Sequence, residues 1–223
     1  MFYVCLSRLL CFPSMFNNLR SWCCLCIGVL AWVSVGFAQV GGGAEKQETV
    51  RVLVTYHSLT GSTEKMAKGV VSGAKAVSGT EVIVKRVGQV TAEELFGSDA
   101  LIIGSPVYWS NMSGEVKTFI DNWQLKFGVF PEFKMQNKVG AAFATGGQVS
   151  SGKEVTMLTI LAAMLGNKMI VVSEGGAFGA SATTEGDSPG IDQHELADAK
   201  TLGKRVAEVA WMIKRGTSGV AEE

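Results

Sequence analysis

Beyond Cys26 this chain has no cysteine. All five, Cys5, Cys11, Cys23, Cys24 and Cys26, lie near the amino terminus. A domain built from residues 27–223 therefore has no disulfide, no reactive thiol and no thiolate metal site. Such a domain tolerates an oxidising compartment. Net charge is missing too: 20 basic residues balance 20 acidic ones. Setting aside Arg8 and Arg20 leaves the remainder at −2. That balance excludes the basic footprint of a nucleic-acid binder. It also excludes the strong acidity of a shuttle protein steered onto basic partners.

Charge is wholly absent from Ser21 to Ala44, and Cys23 to Phe37 is almost entirely apolar. Arg8 and Arg20 precede this run, and Gly36-Phe37-Ala38 places small residues where a signal peptidase reads. Met15 to Arg20 followed by the run reads as a secretory signal peptide, with residues 1–14 an extension ahead of a start at Met15. The alternative is an uncleaved membrane anchor, for which the run is short of the ~20 apolar residues of a span. The expected organisation is a signal peptide or anchor over residues 1–38 and a Gly-rich tether over 39–49. One domain follows over 50–216, then a frayed tail over 217–223. Cleavage implies a periplasmic or secreted protein; retention implies an inner-membrane anchor. Membrane contact is expected only through this segment.

The rest alternates short apolar runs with helical patterns, without internal repeats. Arg51–Tyr56, Glu81–Val87, Ala100–Gly104, Lys138–Ala144 and Met169–Val172 read as strands. Helices are expected from Ser62 to about Ser78, from Thr91, from Asn111 to about Lys126, over Glu154–Leu165, and from the capping box Asp192-x-x-Glu195 to about Lys214. Five β-like runs separated by helices predict an α/β fold with a doubly wound, five-stranded parallel sheet. Met66, Met157, Met164 and Met169 are expected to fill the core. His194 is expected on the surface, and His57, which borders the first loop, on a solvent-facing loop, with contact to a ligand as the alternative.

Between the first strand and the first helix stands Ser58-Leu59-Thr60-Gly61-Ser62-Thr63. Hydroxyls and a glycine surround a helix start, where unpaired N–H groups and the positive dipole end attract an anion. The loop has no Lys or Arg. It is neither a Walker A loop nor a Gly-x-Gly-x-x-Gly turn. A simpler reading is a strand-to-helix turn with capping hydroxyls.

This arrangement resembles the FMN-phosphate loop of flavodoxin-like proteins. The resemblance extends through Gly104-Ser105-Pro106-Val107-Tyr108-Trp109-Ser110-Asn111-Met112-Ser113-Gly114 to Asp121. That stretch is similar to the second flavin loop and following helix of the tryptophan-repressor-binding-protein type of NAD(P)H:quinone oxidoreductase. Gly179 to Thr184 and Gly186-Asp187-Ser188 resemble the same branch. The match covers roughly residues 51–215, with the Asn-Met-Ser-Gly helix start its most specific piece. Two positions depart from the branch. Gly166-Asn167 stands where it carries histidine, and Val107-Tyr108 where it carries Thr-Arg.

The resemblance implies a three-layer α/β/α fold with strand order 2-1-3-4-5. It implies FMN as cofactor, with NAD(P)H and a quinone as small-molecule partners, and it allows a homo-oligomer. The family's habit is cytoplasmic. The leader has Arg20-Ser21 and no twin-Arg pair, so export with FMN already bound is not expected. In such a sheet the ligand crevice lies beyond the carboxyl ends of the strands where the order reverses. Three loops converge there. Ser58, Thr60, Gly61, Ser62 and Thr63 would seat the phosphate. Pro106, Val107, Tyr108, Trp109, Ser110 and Asn111 would wall the ring, unless the two aromatics merely roof the core. Thr145, Gly146, Gly147 and Gln148 would approach its polar rim. The flavin would carry the redox chemistry, so no side chain is assigned as a catalytic acid or base. The expected activity is two-electron transfer between NAD(P)H and a quinone. The alternatives are a flavodoxin-type electron carrier and a flavin-binding scaffold without enzymatic activity.

Overall fold

The computed structural model describes residues 48–184 and 190–220. The expected leader, most of the tether and Gly186-Asp187-Ser188 lie outside the described residues. Seven strands and five helices follow in the order β1 (Val50–Tyr56), α1 (Ser62–Lys75), β2 (Thr80–Arg86), α2 (Ala92–Gly97), β3 (Ala100–Tyr108), β4 (Asn111–Met112), α3 (Gly114–Leu125), β5 (Val139–Gly146), α4 (Lys153–Gly166), β6 (Ile170–Val171), β7 (Ala180–Thr183) and α5 (Gln193–Val220). The sheet runs β2-β1-β3-β5-β6, and all four of these pairings are parallel. β7 also pairs parallel with β5, and the two-residue β4 pairs antiparallel with β3.

Strand periodicity builds the two cores. Val50, Val52, Val54 and Tyr56 of β1 point to one face, with Ala100 and Ile102 of β3 and Val139, Ala141 and Phe143 of β5. Leu53, Leu101, Ile103, Ala142 and Ala144 point to the other. That is the period of two along a strand buried on both faces. Met66, Val70 and Ala74 of α1 and Leu202, Val206 and Ala210 of α5 cover the first face. Phe119 and Trp123 of α3 and Ile160 and Met164 of α4 cover the second. The result is three layers, as expected. Met66, Met157, Met164 and Met169 are buried in them. The capping box of α5 forms, with Glu195 N donating to Asp192 Oδ1 at 2.8 Å and Asp192 N to Glu195 Oε2 at 3.0 Å.

Three elements differ from expectation. The fifth strand position is split: β6 pairs with Val139 and Gly140, the chain loops out, and β7 resumes beside Phe143 to Gly146. Glycines permit the excursion. Gly175 has φ 74°, and Gly179 has φ 130°, where a Cβ would sit 2.0 Å from Ala142 O. Seven strands thus occupy a five-position sheet plus a hairpin. Asn111 does not start a helix but returns as β4, and α3 begins at Gly114. The last helix continues past Lys214 to Val220, through the expected start of the tail. Lys214 Nζ anchors this turn, donating to Thr49 O at 2.7 Å and pairing with Asp99 at 3.0 Å. Among the described residues, no helix is long and apolar enough to cross a membrane.

Candidate functional site: a crevice at the carboxyl edge of the sheet

The loops after β1, β3 and β5 meet at one edge of the sheet. Thr63 Oγ1 and Thr145 Oγ1 share a buried hydrogen bond of 2.8 Å, tying the first loop to β5. Gly152, with φ 94°, lies so close to the second loop that a Cβ there would come within 2.7 Å of Ser110 Cα. The three expected loops therefore share one crevice.

The first loop divides its hydroxyls by direction. Ser58 is buried, and its Oγ accepts from Gly61 N at 3.1 Å and Glu64 N at 3.3 Å. It organises the turn. Gly61 holds the left-handed N-cap position at φ 93°, which glycine adopts without a Cβ penalty, and the side-chain cap comes instead from Ser58 through Glu64 N. The first-turn amides of Ser62 and Thr63 have no intrahelical acceptor, which suits an anion. Thr60 and Ser62 are less buried than Ser58 and Thr63, with their hydroxyls 3.4 Å apart.

Glu64, one residue further, is the negative charge nearest this seat along the chain. The hydrogen bond from Lys68, then the Lys68 and Arg86 charges, hold its carboxyl below the usual range. Arg86 also donates to Ser58 O at 2.6 Å and lies over the Tyr56 ring. Burial is the main cause that pushes the Tyr56 phenol above its ordinary value.

The second loop is a two-residue hairpin turn. β3 extends through Pro106, Val107 and Tyr108, and Trp109 and Ser110 both take positive φ, 50° and 63°. Positive φ at both central positions is what a tight hairpin with matching twist requires. This explains why Asn111 pairs with Tyr108 as β4. Asn111 Oδ1 accepts from Met112 N at 2.8 Å and from Thr159 Oγ1 at 3.0 Å, which fastens the hairpin to α4. Ser113 then caps α3, accepting from Val116 N, while its own N–H donates to Ser105 Oγ at 2.9 Å.

Strand alternation separates the two aromatics. Val107, Trp109 and Ser110 line a cleft of about 430 Å³ with Gly147, Gln148, Ser150 and Ser151 of the third loop. Tyr108 instead lines a larger cavity of about 850 Å³ with His57, Glu115 and Phe119. Trp109 is fully exposed and Tyr108 partly so, so neither roofs the core.

The third loop begins with buried Thr145. A Cβ on Gly146 would fall 2.0 Å from Ser151 Oγ, so any larger residue would have to displace that hydroxyl. Gly146 O accepts from Thr184 N at 2.9 Å. Gln148 is exposed, and its carbonyl accepts from Lys153 Nζ at 3.3 Å.

Four contributors lie outside the residues assigned to the site from the sequence, His57 having been read there as a ligand contact only in the alternative. Ser151 Oγ is buried and has no hydrogen-bond partner among the described residues. Lys153 is 95% buried, and its Nζ also donates to Thr183 Oγ1 at 2.5 Å, placing a cation beneath an uncharged loop. His57 is half-buried rather than solvent-facing, with its Nε2 3.6 Å from Glu115 Oε2. Glu115 is the fourth, held below the usual carboxylate range by its own backbone amide first, and by His57 to a lesser extent. The only sequence signal for Lys153 was its position directly after Ser151-Gly152. His194 is exposed, as expected, and pairs with Asp198.

Residues 79–184 match the family model of NADPH-dependent FMN reductases. A NAD(P)H dehydrogenase (quinone) of Archaeoglobus fulgidus is 35% identical over 195 residues, covering 72% of this chain and 97% of that protein. A flavodoxin of Clostridium saccharobutylicum is 33% identical over 160 residues, covering 71% of this chain and 96% of that one. Among solved structures, a WrbA-like flavodoxin from Agrobacterium tumefaciens matches with a TM-score of 0.63 at 25% identity, over 74% of this chain and 99% of its own. With its parallel sheet, its hydroxyl-lined helix start and these relatives, the chain belongs to the flavodoxin-like family, in the tryptophan-repressor-binding-protein branch of FMN-binding oxidoreductases.

Proposed function

We propose that this chain is an NAD(P)H-dependent, two-electron quinone reductase that holds FMN in the crevice of the three loops. The observation that carries the site is their convergence, with the Ser62 and Thr63 amides at a helix start beside a cleft between the second and third loops. The donor set fits the cofactor. Amides of Ser62 and Thr63 and the hydroxyls of Thr60 and Ser62 supply the phosphate seat. Val107 and Trp109 supply an apolar wall, and Ser151 Oγ a buried polar atom lining the same cleft. Tyr108 stands apart from that cleft and is not assigned to the ring. The donor and acceptor are carried over from the quinone-dehydrogenase relatives. FMN supplies the hydride chemistry when bound; the protein binds it, orients it and excludes water.

The flavodoxin relative favours a second reading, an electron carrier without its own substrate. Purified protein should show a flavin spectrum and turn over NADH with benzoquinone. Flavin without turnover, with a stable one-electron state on reductive titration, would select the carrier. Absence of flavin affinity would remove both. We further propose export, from the uncharged run after Arg20, in which case the electron donor is a reductant met outside the cytoplasm in place of NAD(P)H. Amino-terminal sequencing from the fractionated host should then begin near Gln39.

A further inference from the structure

A second cavity, about twice the volume of the cleft assigned to FMN, lies apart from it. It opens at the same edge of the sheet, beyond β1 and β2, between Arg86–Gln89 and the first turns of α3. Tyr108, Phe119 and Val87 give it apolar walls. Its polar groups include the His57–Glu115 pair and the Gln89 and Asn122 side chains. At about 850 Å³ it holds a small organic molecule.

Charge narrows the choice of ligand. Among the described residues that line the cavity, Arg86 is the only arginine or lysine, and it donates to Ser58 O and to Glu64 Oε2. The Glu115 carboxylate faces the same space and repels anions. A phosphorylated ligand is thus disfavoured, and a neutral planar ring with carbonyl oxygens is favoured. Tyr108 offers such a ring an aromatic surface. His57 faces Glu115 through Nε2 at 3.6 Å, so Nδ1 is the atom left to meet the ring's oxygen, as a donor when it carries a proton.

We infer that this cavity is a second ligand site, which takes a neutral carbonyl-bearing ring against Tyr108 and recognises its oxygen through the His57–Glu115 pair. The inference rests on the quinone-reductase reading for its choice of ring and adds a site separate from the FMN cleft.

Gly88 lines the cavity, and a Cβ there would meet nothing within 4 Å. Gly88→Leu should therefore fill the cavity without disturbing the packing or the FMN loops. The probe is duroquinone, whose fully substituted ring cannot add the leader's thiols. Binding to the flavin-free full chain is followed by saturation-transfer NMR, and FMN affinity by fluorescence quenching. Duroquinone should bind the wild type. Gly88→Leu should weaken it at least tenfold with FMN affinity unchanged, and His57→Gln and Glu115→Gln should each weaken it several-fold. Wild-type duroquinone affinity in Gly88→Leu, or no binding to the wild type, overturns the inference. If Gly88→Leu melts early, the two polar variants decide alone, and wild-type affinity in both overturns it. Failure of the wild type to bind FMN would sink the flavin reading instead, so the two failures are distinguishable.

Discussion

Four hydroxyls occupy the first loop, and their burial separates two roles that look alike in sequence. Thr63 is buried and bonded to Thr145 at 2.8 Å, so it braces two loops. Thr60 is exposed and braces nothing deep. Thr63→Ala leaves the Thr145 hydroxyl buried without that partner. It should destabilise the apoprotein by about 1–3 kcal/mol, the cost of an orphaned buried polar group. Thr60→Ala should leave apoprotein stability unchanged and weaken FMN alone, by up to about 1.5–3 kcal/mol if its hydroxyl bonds the charged phosphate. Urea melts of both apoproteins beside FMN titration separate the roles. Unchanged FMN affinity in Thr60→Ala would remove that hydroxyl from the phosphate seat.

At the scale of the element, packing can overrule propensity. α1 and α5 cross at two glycines. A Cβ on Gly73 would sit 1.8 Å from Lys200 O, and one on Gly203 1.9 Å from Val70 O. Gly73→Ala gains about 1 kcal/mol of helix propensity. It must also push two backbones apart, and overpacking costs roughly 1–3 kcal/mol or more. The crowding atom is backbone, so crowding wins and the variant should melt earlier; a higher melting temperature would show that the helices part cheaply.

The capping box of α2 gives a signed pH test. Glu94 bonds Lys85 and the Thr91 amide, with Lys85 the larger cause, and its carboxyl lies below its ordinary 4.5. A lowered carboxylate stabilises the fold above the unfolded value, and that contribution is lost as pH falls through the folded one. Glu94→Gln keeps an acceptor for the cap but loses the charge. It should cost about 0.3–1 kcal/mol at pH 7, and the gap from wild type should close as pH falls through the folded-state value, which lies below the ordinary 4.5. A gap that persists once the carboxyl is protonated in both states would assign the effect to packing.

The same scale explains what was legible. The cores were readable because Val50, Val52 and Val54 alternate with Leu53, and Met66, Val70 and Ala74 keep helical spacing. The capping box at Asp192 and the helix start at Thr91 were readable because they are local. The hairpin was not, because Trp109-Ser110 lacks the Asn-Gly signature of its turn. The split fifth strand was not, because β6 spans two residues and β7 is Ala180-Ser181-Ala182-Thr183, small residues without an apolar run. The partners of His57 and Lys153 depend on Glu115 and Thr183, which only the fold brings near.

At the scale of the molecule, the crevice draws on β1, β3 and β5 at once, so a ligand there fastens the middle of the sheet. The unfolded chain cannot assemble the three loops, and FMN should therefore shift the folding equilibrium by mass action. At one hundred times its dissociation constant the gain is about 2.7 kcal/mol. A domain of this size gains roughly 2–4 °C per kcal/mol, so the melting temperature should rise by about 5–10 °C. Riboflavin has the same ring without the phosphate. It forgoes the seat at Ser62 and Thr63, where a hydrogen bond to a charged group is worth about 1.5–3 kcal/mol. At the same concentration it should recover little of the shift. Calorimetry of the apoprotein with each flavin reads both quantities. Equal shifts would remove the phosphate seat while leaving the ring's cleft. No shift with either would remove the flavin site altogether, because a ligand that binds only the folded state must raise its stability.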